Sequence, residues 1–173
     1  MTLSSPLRPA LLGTMVVSTI GCDQATKHIA RAHLEGPPFD ALGGIVRLGL
    51  THNDGGFLSL GAALPDHLRT LVFQLAVATA LLLFALYLLF GPRLAPWTQF
   101  CAWLIWAGGI SNLVDRIAFD GRVTDFVVIG IGPVRTGVFN VADVAIMAGG
   151  LVLLGSILLA EEKPRGDGDP AGS

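Results

Sequence analysis

Long apolar runs, broken at a few places by acids and amides, set the pattern of this chain. Thr70 to Phe90 carries no charge, and Leu94 to Val114 carries none before Asp115-Arg116 closes it. Val138 to Ala160 is broken only by Asp143. Pro9 to Cys22 is apolar too, but it reaches the roughly 20 residues that a bilayer span requires only by running on to about Ala32, past Asp23 and Lys27. The pattern therefore predicts four transmembrane helices, at about 9–32, 68–90, 94–119 and 138–160. The two longer connections, Ala32 to Leu68 and Asp120 to Gly137, lie on the face opposite the termini. Each holds a strand-like piece: Ile45 to Thr51 alternates in part, and Val127 to Ile131 is rich in β-branched residues. The expected fold is a mostly α membrane protein, four transmembrane helices with a small β-rich cap or cradle. Residues 1–160 read as one integral-membrane domain, and the polar, Gly- and Pro-rich stretch 161–173 as a disordered tail.

Composition agrees with the pattern. The chain is 52% hydrophobic and 14% charged, whereas soluble domains run near 25% charged. A net charge of −2 gives no nucleic-acid footprint, and no nucleic-acid partner is expected. The Lys and Arg residues of the two sets of loops are nearly balanced, so charge alone does not orient the chain. Cys22 and Cys101 lie in apolar runs without a ligand spacing. His28, His33, His52 and His67 form no zinc motif. No metal and no cofactor is expected.

The polar interruptions carry the chemistry. An ionised side chain inside a bilayer costs about 2.5–3.5 kcal/mol on insertion scales, and such residues usually have a function. With the third helix ending near Phe119, Asp115 falls roughly 6 Å inside it; with the fourth starting near Val138, Asp143 falls roughly 7.5 Å inside. The two helices form an antiparallel hairpin, so these depths match. Asp125 lies on the connection, and Asp23 and Lys27, late in the first helix, reach the same face. Two carboxylates that share a site hold one proton between them. In that state one acid can take a proton from water while the other donates to a carbonyl oxygen. Asn140 precedes Asp143 by three residues, on nearly one helix face, and can orient it. Arg116 follows Asp115 directly and is its expected ion-pair partner. Asp125 has no adjacent cation, so chemistry prefers Asp125 with Asp143 and leaves Asp115 with Asp143 as the second choice.

Blander readings apply to several of these residues. Asp23 and Lys27 fit an i,i+4 ion pair. Gly108-Gly109 fits close helix packing, and Trp97, Trp103 and Trp106 fit an interfacial belt with helix packing. Residues 1–22 imitate a lipoprotein signal peptide, with Arg8, an apolar core and Thr19-Ile20-Gly21-Cys22; three further spanning segments argue against that. A small transporter or proton-relay protein using membrane-embedded aspartates is the alternative function.

Five blocks, in order, resemble the lipoprotein signal peptidase (signal peptidase II) family. Asp23-Gln24-Ala25-Thr26-Lys27 resembles its Asp-Gln-x-Thr-Lys, and Asn53-Asp54-Gly55-Gly56-Phe57 its Asn-x-Gly-Ala-x-Phe. Gly108 to Arg116 resembles Gly-Gly-x-x-Asn-x-x-Asp-Arg. Val123-Thr124-Asp125-Phe126 is similar to Val-x-Asp-Phe, and Phe139-Asn140-Val141-Ala142-Asp143 to Phe-Asn-x-Ala-Asp. Gly56 stands where Ala is usual, Asp54 where Thr is common, and the Arg116–Asp125 spacing is about one residue longer. The resemblance implies an aspartyl endopeptidase of the bacterial inner membrane, multi-pass, with its termini cytoplasmic and its cap and active site extracytoplasmic. It implies Asp125 and Asp143 as the catalytic pair, Asn53, Asn112, Arg116 and Asn140 lining or bracing the site, and Asp23 and Lys27 as supporting residues. The implied substrate is a diacylglyceryl-modified prolipoprotein, cut on the amino side of the lipidated cysteine. Its partners are then that substrate and membrane lipid, and a monomer is expected. The two glycines of the Asn53–Phe57 block, Gly55 first, predict a loop that closes over the site.

Overall fold

The computed structural model describes residues 7–54 and 65–161. Four long helices account for most of them: α1 (Leu7–His33), α2 (Asp66–Phe90), α3 (Pro96–Ala118) and α4 (Val141–Glu161). Four strands, β1 (Phe39–Ala41), β2 (Val46–Asn53), β3 (Val123–Ile131) and β4 (Val134–Arg135), form an antiparallel sheet in the order β1-β2-β3-β4. Both strand-like pieces of the sequence are strands, and longer than their β-branched cores. β3 reaches back to Val123, so Asp125 lies on a strand and not in a loose connection. Gly55, the rest of the expected closing loop and the tail after Glu161 lie outside the described residues.

The polarity of the molecule is inverted relative to a soluble domain. The largest fully buried side chains are Lys27, Asn140, Thr124, Asp23, Asp115, Asp125 and Ser111, all polar. Leu71, Leu75, Leu82 and Leu83 of α2 and Met147, Leu151 and Leu154 of α4 face outward. Among the described residues two stretches are long and apolar enough to cross a membrane, Thr70–Phe90 with mean hydropathy 2.3 and Val141–Leu159 with 2.1. α1 and α3 are less apolar, because they carry the buried polar groups.

Small residues bring α3 and α4 together. A Cβ on Gly108 would lie 2.6 Å from the carbonyl oxygen of Ala142, and one on Gly149 would lie 2.8 Å from that of Cys101. Side chains absent at these points let the helix backbones approach. Gly109 instead receives Leu81 of α2. Trp106 ties α3 to α2 by donating Nε1–H to the Leu81 carbonyl at 2.9 Å, and packs edge-on against Trp103.

Three backbone devices shape the surroundings of the stretch between α3 and α4. At the end of α3, the Phe119 N–H bonds the Asp115 carbonyl and the Gly121 N–H bonds that of Arg116. Asp120 and Gly121 there take positive φ, 52° and 88°, the left-handed stop at which helices commonly end. Next, β2 advances from Leu48 to Thr51 while β3 moves only from Val127 to Asp125, a bulge immediately beside Asp125. Finally, Phe139 bridges back to Val127, with Phe139 N–H on the Val127 carbonyl at 2.9 Å and Val127 N–H on the Phe139 carbonyl at 3.0 Å. That bridge sets Asn140 beside Asp125.

Gly108→Ala is expected to lower thermal stability in detergent by about 1–3 kcal/mol, the usual cost of overpacking, because the atom it meets is backbone. Gly150→Ala, on the same α4 but with nothing within 4 Å of its added Cβ, should leave stability unchanged or slightly raised. Equal melting temperatures for the two variants would contradict the close-approach argument.

Candidate active site

The site grows from the start of α4. Asn140 stands just before the helix and accepts the Asp143 N–H on Oδ1 at 2.9 Å. Asp143 Oδ2 returns the contact by accepting the Asn140 N–H at 3.1 Å. This is a reciprocal capping box, satisfying two N–H groups that a helix start leaves unpaired. The Ala142 N–H, also in this first turn, is taken from another helix: Asp23 Oδ1 accepts it at 2.8 Å. α4 therefore begins at Val141, later than the predicted 138, and Asp143 sits in its first turn. The sequence-based estimate that Asp143 lies five residues inside the helix is corrected accordingly. So is the expectation that Asn140 and Asp143 share a helix face; they meet through the cap instead.

Asp125 and Asp143 are joined by amides. Asn140 Nδ2 donates to Asp125 Oδ1 at 2.6 Å, while the same residue's backbone and Oδ1 hold Asp143. Asn53 Nδ2 donates to Asp125 Oδ2 at 3.0 Å, and Asn112 Nδ2 to Asp143 Oδ1 at 2.9 Å. All four carboxylate oxygens thus accept an N–H. The bulge in β2 matters here. It restores a register in which Thr51 opposes Asp125 and Asn53 opposes Val123, two residues on and so on the same face. Asp125 is buried and Asp143 half-buried. Burial pushes the Asp125 carboxyl above the usual carboxylate range, and the neighbouring Asp143 charge adds to the rise; the Asn53 and Asn140 bonds oppose it. Arg116 is close enough for its charge to act on Asp143, Asp125 and Asp115.

A second network lies behind this pair. Lys27 Nζ contacts Asp23 Oδ2 at 2.8 Å, Asn112 Oδ1 at 2.8 Å and Asp115 Oδ2 at 3.3 Å, with all three charged side chains 0% exposed. An ammonium has three donors, and here three acceptors meet it. Ser111 Oγ donates to Asp23 Oδ2, and Gln24 Nε2 reaches Ser111 and Asp115 Oδ1. The expected i,i+4 pair of Asp23 and Lys27 is present. The expected Asp115–Arg116 pair is not the one formed. Asp115 pairs with Lys27 and, at 3.9 Å, with Arg31, while Arg116 Nη1 approaches the Asn112 carbonyl at 3.4 Å. Neighbouring helix residues point about 100° apart and do not face one another.

The structure thus brings together Asp125, Asp143, Asn53, Asn112 and Asn140 by direct bonds, with Asp23, Lys27 and Asp115 one contact behind. Gly55 lies outside the described residues. Sequence reasoning assigned no role to Gln24, Arg31, Ser111 or Thr124. A signal for one of them existed: Asp23, Lys27 and Arg31 repeat every four residues, a polar stripe on an apolar helix.

A carboxylate pair held by amides at one end of an apolar helical bundle is an arrangement suited to acid–base chemistry. The family model for signal peptidase (SPase) II matches residues 15–159. A lipoprotein signal peptidase of Caldicellulosiruptor bescii is 37% identical over 147 residues, 85% of this chain and 89% of that one. One from Gloeobacter violaceus is 33% identical over 156 residues, 90% and 86% of the two chains. A bacterial membrane enzyme solved at 2.3 Å by the in meso method shares the fold, with TM-score 0.69 and 22% identity over 93% of this chain and 95% of its own. This chain belongs to the signal peptidase II family, which sets aside the transporter reading.

Removing the buried cation should be costly. Lys27→Met leaves Asp23 and Asp115 without their shared partner, and a broken buried ion pair typically costs about 3–5 kcal/mol. Thermal unfolding in detergent is expected to show a large loss; a variant as stable as the native chain would contradict the stabilising role of the buried cation.

Proposed function

We propose that Asp125 and Asp143 are the acid pair with which this signal peptidase hydrolyses its lipoprotein substrates. The observation that carries this reading is Asn140, which holds both carboxylates at once. Two acids so coupled share a proton, and their apparent titrations belong to the pair. Asp125, the carboxyl raised by burial, keeps the proton and donates it to the scissile carbonyl oxygen. Asp143 takes a proton from the attacking water. The tetrahedral species collapses as Asp143 passes its proton to the leaving amine and a hydroxyl of the species returns one to Asp125, and no covalent intermediate forms. Asn112 and Arg116 steady the Asp143 charge; Asn53 fixes the free oxygen of Asp125.

The substrate follows from the family and from where the pair sits. A diacylglyceryl-modified prolipoprotein has its acyl chains in the leaflet, its signal helix in the bilayer and its scissile bond at the surface. Helix ends, where Asp143 and Asp115 lie, suit that bond. Cleavage falls on the amino side of the lipidated cysteine. Residues 1–160 act as one peptidase domain and 161–173 as a cytoplasmic tail. All four helices cross the inner membrane, with the sheet and the acid pair on the extracytoplasmic face. For α1 and α3 this rests on their outward residues. Val17, Ile29, Val114 and Ile117 are exposed while Asp23, Lys27 and Asp115 are buried, which keeps these three charges away from lipid. The working unit is a monomer in contact with membrane lipid.

Purified chain given a diacylglyceryl-prolipoprotein in detergent should cut before the modified cysteine. Asp125→Asn and Asp143→Asn should each abolish turnover while still folding; turnover by either variant would remove it from the pair. The pH profile gives a second check. Activity is lost as pH rises through the upper apparent titration of the pair, because the shared proton leaves. The Asn53 bond favours the ionised form of Asp125, so Asn53→Ala should raise that titration further and move the alkaline limb of kcat/KM to higher pH. A downward move would show that the bond favours the neutral acid.

A further inference from the structure

Thr124, beside Asp125, is held by more elements than any requirement of the sheet explains. Its hydroxyl accepts from Arg31 Nη1 of α1 at 2.7 Å. Its backbone N–H donates to Asp115 Oδ2 of α3 at 2.9 Å. Its carbonyl accepts from Asn140 Nδ2, at the start of α4, at 3.4 Å. The side chain is 1% exposed. Arg31 is itself fixed from two further sides, with its guanidinium 4.4 Å from the Phe119 ring centroid and 3.9 Å from Asp115 Oδ2. Cation–ring and charge contacts together leave it little rotational freedom.

We infer that Thr124 is a positioning residue for Asp125, and that Arg31 acts on the reaction through the Thr124 hydroxyl. Successive strand residues point to opposite faces, so a clamp on Thr124 fixes the backbone from which Asp125 projects without touching substrate. Asn140 is common to both: one Nδ2 reaches the Thr124 carbonyl, the Asp125 carboxylate and Asn112 Oδ1. A displacement of Thr124 therefore moves Asp125 relative to its own donor. The block Val-x-Asp-Phe leaves this position open, and Arg31 lies beyond the block that ends at Lys27. The positioning role rests on Asp125 being one of the reacting acids.

The test is steady-state cleavage of a diacylglyceryl-prolipoprotein by Thr124→Val, Thr124→Ser, Arg31→Ala and the double variant Arg31→Ala/Thr124→Val, with Asp125→Asn alongside. Small misplacements of reacting groups cost up to about a hundredfold. Thr124→Val, which keeps shape and loses the hydroxyl, is expected to lower kcat on the order of tenfold with KM nearly unchanged. Thr124→Ser, which keeps the hydroxyl, is expected to retain native kcat. Arg31→Ala, at a partly exposed side chain, should reproduce the Val loss, and the double variant should be no worse than the poorer single one, since contacting residues are not additive. Native kcat in Thr124→Val overturns the role of the hydroxyl. Losses that multiply in the double variant overturn the route through Thr124. If Thr124→Val does not fold, native kcat in Arg31→Ala overturns the inference by itself. Turnover by Asp125→Asn would instead defeat the acid-pair reading, whatever the Thr124 variants do.

Discussion

The buried ammonium of Lys27 is the constraint on which the rest of the structure depends. A charge fully removed from water is tolerable only when its partners are complete. Here they come from its own helix, Asp23, and from α3, Asp115 and Asn112. Each partner then makes a second contact that shapes the site. Asp23 holds the Ala142 N–H at the start of α4, Asp115 holds the Thr124 N–H at the start of β3, and Asn112 holds Asp143. The elements that carry the two proposed acids are thus both moored to anions of the same cation. With Nζ and Asn140 Nδ2 both on its Oδ1, the Asn112 amide can present only Nδ2 to Asp143.

That arrangement explains why the interior is polar while the exterior is apolar. Lipid does not reward one apolar surface over another, so helix association in a membrane rests on close packing and interhelical polar bonds. The chain uses both. Gly108 and Gly149 let α3 and α4 approach, and the polar residues of α1 and α3 close the gap with hydrogen bonds. Among the described residues no buried side-chain polar atom lacks a partner, which is the condition for such a network to add stability and not subtract it.

Much of this was legible in the sequence because lipid makes polar residues conspicuous. Asp23, Lys27, Asn112, Asp115 and Asp143 stood out as interruptions of apolar runs, and they do converge. What was not legible depended on the non-helical backbone. The bulge between Leu48 and Thr51, the bridge from Phe139 to Val127 and the later start of α4 are register effects. None has a composition that announces it. Reading α4 from Val138 placed Asp143 inside a helix and hid the cap it forms. Adjacency in sequence likewise suggested Arg116 for Asp115, whereas helix geometry awarded Asp115 to residues from α1. Thr124 was passed over for a different reason: a threonine in a β-branched run looks like an ordinary strand residue, and nothing local marks its hydroxyl as the target of Arg31.

One consequence follows from the cap at Asn140. Asp143 serves twice, as a hydrogen-bond acceptor that starts a helix and as an acid proposed to exchange a proton in every turnover. The carboxylate proposed to react and the cap of the first turn of α4 are then the same group. A proton gained by Asp143 weakens its hold on the Asn140 N–H, and Asn140 is the residue that grips Asp125. The helix terminus is thereby a structural link between the two acids, since the residue that caps α4 through Asp143 also holds Asp125.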